Sequence, residues 1–464
     1  MRLIATIIAL LALAACATST ERQSIEGRYE YEPGVPLILA ARPADGEVFA
    51  VINGARYPLR RAGADIFLNS GGTEVHIVRD GSGRVLGYRV RENPELDANP
   101  LRRLLDASVR VPAASWRTRP PGAPERYTYR APQEADGGLP VRALAAEDSL
   151  RSGLTALAQA AYDEELPNLD SVLVFRGGAL VFEEYFHEYD ARTRHQLRSA
   201  TKTLVALLVG AALDRGAIAS LDAPVLSYFA DHEIANLDER KRAITIRDLL
   251  TMRSGLACND WDPDSPGNET RMGQTDDWAR FILDLPMEHA PGTHGSYCSG
   301  NVILAGRIVE QATGRPLRTF ADDVLFAPLG IENYEWDFRP DRSNSENFVQ
   351  AWLRPRDMMK IGLMILDGGA WQGRQIVSSG YISEMTRAHS AIDGTPYGYF
   401  FWRRFINLPS GRFETPQATG NGGQKIIVLA EHDAVIVLTG AAYNQDSDSN
   451  ELLARYVIPG LLNR

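Results

Sequence analysis

The feature that most constrains the fold of this chain is a long apolar run that begins beside a serine and a lysine. After Ser199 the sequence is almost continuously apolar as far as Leu213, and Gly216 follows shortly afterwards. A run of this length with apolar residues on every side predicts a helix that is buried all round, with Gly216 at its C-terminal end. Ser199 would then lie at or near the N-terminus of a central helix, where free backbone N–H groups favour negative charge.

Lys202 follows Ser199 at a spacing that places both side chains on one face of the predicted helix. A base that takes the proton of a serine hydroxyl turns the serine into a nucleophile. Lysine can be that base only if burial or a nearby cation lowers its pKa, and a buried central helix supplies burial. The spacing therefore predicts a catalytic Ser199–Lys202 pair. A helix-capping serine beside an unrelated lysine is the alternative interpretation.

The scarcity of lysine in this chain favours the catalytic interpretation. Of the 49 basic residues, 45 are arginines. A position that needed only positive charge would most often be arginine here, and arginine cannot give up its proton. The four lysines are Lys202, Lys241, Lys360 and Lys425.

Length and charge limit the classes of protein that the chain could represent. With 464 residues it is long enough for two or three domains. The net charge of −10 is spread along the sequence without a basic stripe, so nucleic acid is not an expected partner. Asp260, Asp262 and Asp264 have the spacing of the start of a calcium loop, but Pro263 and Pro266 interrupt it. The histidines are scattered and no zinc-protease or P-loop pattern is present, so we expect no metal and no other cofactor.

The N-terminus has the pattern of an export signal. Residues 3–15 form an apolar run that is too short to remain as a membrane-spanning helix. The run ends in Leu13-Ala14-Ala15-Cys16, which resembles the bacterial lipoprotein signal. We therefore predict a signal peptide over residues 1–15, a lipid on Cys16, a tether over 16–25 and a place in the bacterial periplasm or cell envelope. An ordinary signal peptide with a chance cysteine is the alternative.

Two further cysteines, Cys258 and Cys298, leave their redox state open. In an oxidising compartment they could form a disulfide. Buried free thiols are equally compatible with the sequence.

Turn signals divide the rest of the chain into two predicted domains. Residues 26–100 alternate short β runs with turn residues and predict a small antiparallel β domain, whose role the sequence does not indicate. Residues 101–140 contain Pro120-Pro121-Gly122 and predict a linker. Over 141–464 a helix, a β hairpin, a large helical block, strands and a closing helix predict an α+β fold, in which an antiparallel sheet holds helices and an all-α insertion.

Three motifs follow one another in the order found in one known family. They are Ser199-Ala200-Thr201-Lys202, Tyr297-Cys298-Ser299 and Ala418-Thr419-Gly420. Together they resemble the serine β-lactamase-like superfamily, within its branch of class C β-lactamases, esterases and aminohexanoate-dimer hydrolases. The resemblance covers residues 150–464 and implies the β-lactamase/transpeptidase-like fold for that part of the chain.

The resemblance also implies a role for individual residues in a serine hydrolase that forms an acyl intermediate. Ser199 would be the nucleophile, Lys202 would take or share its proton, and Tyr297 would protonate the leaving group. Backbone N–H groups of Ser199 and Asn421 would bind the developing oxyanion. The residues expected in the oxyanion hole and the substrate site are Ser199, Asn421, Ser299 and Gly420.

Two departures from the family pattern affect the expected substrate. Ser299 stands where asparagine is usual, although a serine hydroxyl could still hydrogen-bond Lys202. Ala418 stands where lysine or histidine is usual, so the motif offers no cation to a substrate carboxylate. These departures favour esters and small uncharged amides as small-molecule substrates. A β-lactamase or DD-peptidase is the alternative enzyme, and a non-catalytic cell-envelope binding protein with this fold is the alternative of another class.

Overall fold

We analysed a computed structural model, which describes residues 25–32, 35–52, 54–134, 138–230, 233–336, 338, 350–445 and 447–463. The predicted signal peptide, Cys16 and nearly all of the predicted tether lie outside the described residues. Within these ranges no helix is both long enough and apolar enough to cross a membrane.

The N-terminal domain is a closed barrel in which eight described strands pair antiparallel. The strands are β1 (Gly27–Glu32), β2 (Val35–Ala41), β3 (Val48–Ile52), β4 (Ala55–Arg61), β5 (Ile66–Leu68), β6 (Glu74–Arg79), β7 (Val85–Val90) and β8 (Arg102–Asp106). β8 pairs with both β7 and β1 and so closes the barrel. The predicted β domain is confirmed, but its last strand lies beyond the predicted boundary at residue 100.

Local turn chemistry explains why the strands reverse where they do. The turn between β6 and β7 begins at Asp80, whose carboxylate accepts a hydrogen bond from the Ser82 backbone N–H at 2.9 Å. Gly83 completes the turn with φ +87°, a conformation that glycine adopts without steric strain. Turns of this kind repeat along residues 25–106 and produce a meander of short strands.

A central antiparallel sheet organises the second domain. Its eight described strands have the spatial order β10-β9-β20-β19-β18-β17-β16-β15. In chain order they are β9 (Leu169–Arg176), β10 (Ala179–Tyr185), β15 (Ser390–Ile392), β16 (Thr395–Tyr397), β17 (Trp402–Leu408), β18 (Gly411–Gly420), β19 (Gln424–Leu429) and β20 (Ala434–Gly440). Two short ribbons are β11 (His195–Gln196) with β12 (Trp352–Leu353), and β13 (Ala370–Trp371) with β14 (Arg374–Gln375).

Helices cover both faces of this sheet. The described helices are α1 (Ser149–Tyr162), α2 (Thr201–Asp214), α3 (Glu239–Arg242), α4 (Ile246–Leu250), α5 (Glu269–Gly273), α6 (Trp278–Asp284), α7 (Ser299–Thr313), α8 (Leu317–Ala321), α9 (Pro355–Leu366), α10 (Ser379–Thr386), α11 (Ser449–Leu452) and α12 (Ile458–Leu462). Val172 and Val174 of β9 face α1 and α12, whereas Leu173 and Phe175 face the core that contains α2 and α9. This layered α+β arrangement confirms the predicted fold class.

Helix α2 is the buried central helix that the sequence predicts. Every residue from Thr201 to Ala212 is buried. The helix ends at the Arg215 cap, and Gly216 follows with φ +71°. The predicted glycine stop is therefore confirmed, and the turn that leads into the helix lies beside the end of β18.

Two predicted elements are interrupted in the structure. The aromatic sequence Tyr397-Gly398-Tyr399-Phe400-Phe401-Trp402 is typical of a strand, but it is split, because β16 ends at Tyr397 and β17 begins only at Trp402. Phe400, between them, has φ +47°, which is incompatible with an extended strand. The predicted closing helix consists of α11, a π-helical segment at Leu453–Val457 and α12.

Candidate active site

The structure brings the predicted Ser199–Lys202 pair together. Ser199 lies in a short 3-10 turn, Arg198–Ala200, that leads directly into α2. The Lys202 ammonium Nζ, on the first turn of α2, lies 3.1 Å from the Ser199 hydroxyl Oγ. Arg198, which precedes the serine, has φ +50°, a left-handed conformation that is costly for a residue with a side chain. Backbone strain of this kind is often found beside a catalytic group.

A residue of the barrel holds Arg198 in this conformation. The Arg198 guanidinium donates a hydrogen bond of 2.5 Å to the hydroxyl of Tyr57, which belongs to β4. The same guanidinium lies 5.1 Å from the centre of the Tyr443 ring, within the range of a cation–π contact. The N-terminal barrel therefore contacts the residue next to the candidate nucleophile.

The charge on Lys202 is balanced by neighbouring acidic groups. Burial lowers the pKa of Lys202, but interactions with Tyr297, Glu269 and Asp260 outweigh burial and leave the pKa raised. Lys202 Nζ also lies 5.0 Å from the centre of the Tyr297 ring. The expectation that burial would lower the pKa of Lys202 and make it a base by itself is therefore wrong. A charged Lys202 favours negative charge on the oxygens beside it, those of Ser199 and Tyr297.

Two of these acidic groups form a cluster with Ser299. Ser299 begins α7, and its hydroxyl donates to the Glu269 carboxylate at 2.9 Å rather than to Lys202 as the sequence suggested. The Ser299 backbone N–H donates to Asp260 at 2.7 Å. Burial and then the charge of Glu269 raise the pKa of Asp260 to about 7, against the opposing effect of Lys202. Ser299 thus links the family motif to a pair of carboxyl groups.

Sequence reasoning missed the contribution of Asp260 and Glu269 to the site. The available signal was the acidic loop, which had been considered only as a calcium site. Among the residues that the structure describes, no group of three or more His, Cys, Asp or Glu side chains is arranged to hold a metal ion. Asp260 instead acts on Lys202 through its charge.

A disulfide joins the acidic loop to the tyrosine motif. Cys258 and Cys298 are bonded and both are buried, which decides between the alternatives that the sequence left open. Cys258 lies two residues before Asp260, and Cys298 lies between Tyr297 and Ser299. The bond therefore holds the carboxylates and the tyrosine in one covalently closed unit.

Aromatic rings form one wall beside Tyr297. The Trp261 ring stacks on the Tyr297 ring at 5.0 Å between centres and an angle of 15°. Trp402 stacks on the same tyrosine at 5.6 Å. Trp261 is 49% exposed, which is unusual for a large aromatic side chain beside a buried tyrosine. The arrangement offers a flat apolar surface to a bound molecule.

The end of β18 lies beside the Ser199 turn. A Cβ atom at Gly420 would lie 2.1 Å from the carbonyl oxygen of Leu197, so only glycine allows the strand to approach the Ser199 turn this closely. The next residue, Asn421, accepts a hydrogen bond from the Asn444 backbone N–H at 2.8 Å. The structure therefore brings the segments of Asn421 and Ser199 together, and their role as an oxyanion hole stays a prediction.

Lys425 provides a basic group where the motif sequence lacks one. It lies directly opposite Thr419 across the β18–β19 pairing, with Nζ 3.5 Å from the threonine hydroxyl. Burial and then the charge of Arg404 lower the pKa of Lys425 to about 7. Sequence reasoning counted Lys425 but gave it no role. The signal was a lysine at the start of an otherwise apolar strand.

The fold of the second domain is that of the β-lactamase/transpeptidase class. The structure of unliganded, selenomethionyl simvastatin synthase from Aspergillus terreus is similar, with a TM-score of 0.54 at 17% identity. The likeness covers 68% of this chain and 98% of that protein. At this identity the comparison shows the fold alone.

The chain belongs to the Beta-lactamase family, because the model of that family matches residues 169–448. It is similar to esterase EstB of Burkholderia gladioli, with 33% identity over 150 residues, or 30% of this chain and 38% of the relative. It is also similar to the 6-aminohexanoate-dimer hydrolase of Paenarthrobacter ureafaciens, with 26% identity over 244 residues, or 50% of this chain and 60% of the relative. The chain thus spans between 38% and 60% of the length of these curated relatives.

Proposed function

We propose that the protein is a serine hydrolase that cleaves esters or small amides through an acyl intermediate on Ser199. The observation that carries the proposal is the contact of 3.1 Å between Lys202 Nζ and Ser199 Oγ on the first turn of a buried helix. Membership of the Beta-lactamase family supports it. The names of the two relatives, an esterase and an aminohexanoate-dimer hydrolase, support ester and amide substrates.

The proton steps follow from the charges around Lys202. As Ser199 Oγ forms a bond to the substrate carbonyl carbon, its proton passes to the Tyr297 oxygen, which accepts it as a phenolate that the Lys202 ammonium stabilises before the transfer. When the bond to the leaving group breaks, Tyr297 gives this proton to the leaving oxygen or nitrogen and is again a phenolate. A water molecule then attacks the acyl carbon and gives one proton to Tyr297. The bond between the acyl carbon and Ser199 Oγ breaks, the acid is released, and Ser199 takes the proton back from Tyr297.

The oxyanion that forms on the carbonyl needs hydrogen-bond donors. We expect the backbone N–H groups of Ser199 and Asn421 to supply them, and the close approach of the two segments at Gly420 supports this expectation. Each such donor typically contributes about 10²–10³-fold to kcat. Asp260 and Glu269 contribute at a distance, by holding Lys202 in its charged form.

The position of Lys425 supports a second candidate function, which is the hydrolysis of a β-lactam or of a peptide that carries a carboxylate. Its ammonium reaches the Thr419 hydroxyl and could attract such a group. Two observations weaken this candidate. Lys425 is only 6% exposed, and its lowered pKa leaves it partly neutral at neutral pH.

Turnover of two chromogenic substrates tests the proposal. We expect the parent to hydrolyse p-nitrophenyl acetate with a higher kcat/KM than nitrocefin, and the Ser199→Ala variant to hydrolyse neither. A faster turnover of nitrocefin would move the assignment to the β-lactamase candidate. No turnover of either substrate by a folded parent would support the non-catalytic binding protein.

We also propose that the protein is exported and anchored by a lipid on Cys16. The sequence Leu13-Ala14-Ala15-Cys16 supports this. The disulfide between Cys258 and Cys298 agrees with an oxidising compartment, because disulfides seldom persist in the cytosol. Bacteria that express the full chain and are fed an alkyne analogue of palmitate should incorporate the label into the parent but not into Cys16→Ser. An unlabelled parent would contradict the anchor.

A further inference from the structure

A cavity of about 850 Å³ is bounded by both domains. On the barrel side its wall consists of inward-facing apolar side chains, and these include Leu37, Leu39, Ala50, Ile52, Leu59 and Val75. On the side of the second domain its wall includes Gln196, Arg198, Glu269, Trp278 and Asn444. The interior of the barrel and the surroundings of the candidate active site therefore share one space.

The strands of the barrel explain why its interior is apolar and open. Side chains alternate between the two faces of a strand, so Leu37 and Leu39 point inward while Ile38 packs outside. At the middle of β3 the inward position is occupied by Ala50, whose small side chain leaves room. Eight-stranded barrels are just wide enough to hold one small ligand, and pockets for such ligands measure about 300–1,000 Å³. The cavity has the size of a ligand site.

Two aromatic rings partly cover a charged group, the Arg102 guanidinium, inside the barrel. Arg102 forms part of the cavity wall, and its guanidinium lies 5.2 Å from the centre of the Tyr31 ring and 5.7 Å from that of Tyr88. Aromatic rings in this position shield the charge. The interior therefore favours an apolar occupant.

Three wall residues connect the cavity to the catalytic groups. Arg198 is bonded to Ser199 in sequence. Asn444 is hydrogen-bonded to Asn421, which lies at the predicted oxyanion hole. Glu269, the third, accepts a hydrogen bond from Ser299. An apolar chain that lies in the cavity would therefore end close to residues that adjoin the nucleophile.

The lining also indicates which part of the substrate the cavity holds. Its wall contains Arg198, the neighbour of Ser199 to which the acyl group becomes attached, and Asn444, the hydrogen-bond partner of Asn421. The aromatic rings of Trp261, Tyr297 and Trp402, which lie where the leaving group is protonated, are not in this wall. The cavity thus lies on the acyl side of the scissile bond.

We propose that the barrel interior is an acyl-chain site and that the natural substrates are esters or amides of long-chain aliphatic acids. This inference rests on the proposed hydrolase function and specifies its substrate class. Each methylene group that enters the barrel strengthens binding by about fourfold. The barrel is then a specificity module for the hydrolase rather than a separate binding domain.

Hydrolysis of p-nitrophenyl esters that differ only in their acyl chain tests the proposal. We expect kcat/KM of the parent to be at least about tenfold higher for the decanoate than for the acetate. In Ala50→Phe, which fills the barrel, we expect the decanoate-to-acetate ratio of kcat/KM to fall by about tenfold or more. Val75→Phe on another strand repeats the test if Ala50→Phe does not fold. The matched control is Arg60→Phe on the exposed outer face of β4, which should keep the parental ratio.

Direct binding separates this inference from the hydrolase assignment. The Ser199→Ala protein should bind the fluorescent fatty acid cis-parinaric acid in a saturable way. Adding Ala50→Phe to this protein should weaken the binding by at least about tenfold. Adding the control substitution Arg60→Phe instead should leave the affinity unchanged. If esters are hydrolysed but neither the ratio nor the binding responds to the barrel variants, the acyl-chain site is wrong and the hydrolase stands. If no ester is hydrolysed while parinarate binds in the barrel, the hydrolase is wrong and the apolar-chain site stands. Absence of saturable binding would overturn the inference.

Discussion

At the scale of single residues, burial alone does not mark a lysine of this chain as catalytic. The four lysines of the chain are all buried, and they are Lys202, Lys241, Lys360 and Lys425. Lys241 and Lys360 donate to backbone carbonyls at 2.7 and 2.8 Å, respectively, and contact no residue of the candidate site. All four lysines of this chain are thus buried, whereas most of its basic residues are arginines. The contact with a serine hydroxyl, and not rarity alone, is what distinguishes Lys202.

The substitution Lys202→Arg tests the role of the compact ammonium beside Ser199 and Tyr297. Arginine keeps the positive charge but cannot reproduce the geometry of the ammonium. We expect kcat/KM for p-nitrophenyl acetate to fall by about 10²–10⁴-fold, with the melting temperature showing an intact fold. A folded Lys202→Arg protein with parental activity would contradict the assignment.

The raised pKa of Asp260 predicts a pH dependence of activity. Burial and Glu269 raise the pKa of this carboxyl to about 7, so it loses its negative charge as the pH falls through neutrality. Lys202 stays protonated over this range, so the effect of this titration is the loss of a negative charge beside Lys202 and of the charged acceptor for the Ser299 backbone N–H. We expect kcat/KM to decline on the acid side, and Asp260→Asn to lower the plateau and remove this titration from the profile.

The free energy of unfolding should also depend on the protonation of Asp260, but it should decrease rather than increase as the pH rises. A carboxyl whose pKa is raised on folding stabilises the fold fully below its unfolded value of 3.8, and this contribution is lost as the pH rises through about 7. Asp264→Asn, an exposed neighbour in the same loop, is the control and should change neither profile. An acid limb that persists unaltered in Asp260→Asn would show that another group titrates.

At the scale of elements, the sequence predicted what periodicity and turn residues specify. The apolar run after Ser199 predicted α2, and continuous apolar runs predicted β9, β19 and β20. Periodicity carries no information about loops, so the contacts of Asp260 and Glu269 with the site were missed. These contacts depend on the path that the disulfide and the start of α7 impose. Strand β8 was missed for a related reason, because its charged sequence, Arg102-Arg103-Leu104-Leu105-Asp106, lacks regular alternation.

The end of β18 gives a prediction at this scale. In Gly420→Ala the added Cβ atom would meet the carbonyl oxygen of Leu197 at 2.1 Å, so the strand must move away from the Ser199 turn. Because this displaces the Asn421 N–H, we expect kcat to fall by about 10²–10³-fold. The control is Gly380→Ala in α10, where the new atom meets nothing within 4 Å and activity should be unchanged. Full activity of Gly420→Ala would argue against an oxyanion hole at this strand.

At the scale of the whole molecule, a buried ion pair fixes the barrel on the sheet of the second domain. Arg56 of β4 donates to Asp170 of β9 at 3.2 Å, and both residues are buried. His187 and His195 also approach Asp170, but burial lowers their pKa values to about 3 and keeps them neutral. Arg56 is therefore the cation that compensates Asp170. Since Tyr57 is the next residue, this pair also positions the contact with Arg198.

Removal of Arg56 should weaken the whole structure in a pH-dependent way. Arg56→Ala leaves the Asp170 carboxylate buried without its partner, which typically costs about 3–5 kcal/mol of unfolding free energy. Because burial raises the pKa of Asp170 to about 7, the loss should be larger at about pH 8 than at about pH 5, where the carboxyl is protonated. Denaturant unfolding at both pH values measures this.

The matched control for this pair is Arg60→Ala on the exposed end of the same strand, and it should change stability by less than about 0.5 kcal/mol. A loss for Arg56→Ala that is equally small at both pH values would mean that the barrel is held by its other contacts.

The activated nucleophile is the central claim, and the intact mass of the protein after reaction with a serine-directed fluorophosphonate tests it most directly. The measurement uses residues 17–464, which leave out the predicted signal peptide and Cys16, beside the Ser199→Ala variant. One adduct on the parent and none on the variant is the predicted result, because Lys202 and Tyr297 activate Ser199 alone. A folded parent that stays unmodified, or an adduct that persists in Ser199→Ala, would contradict the account.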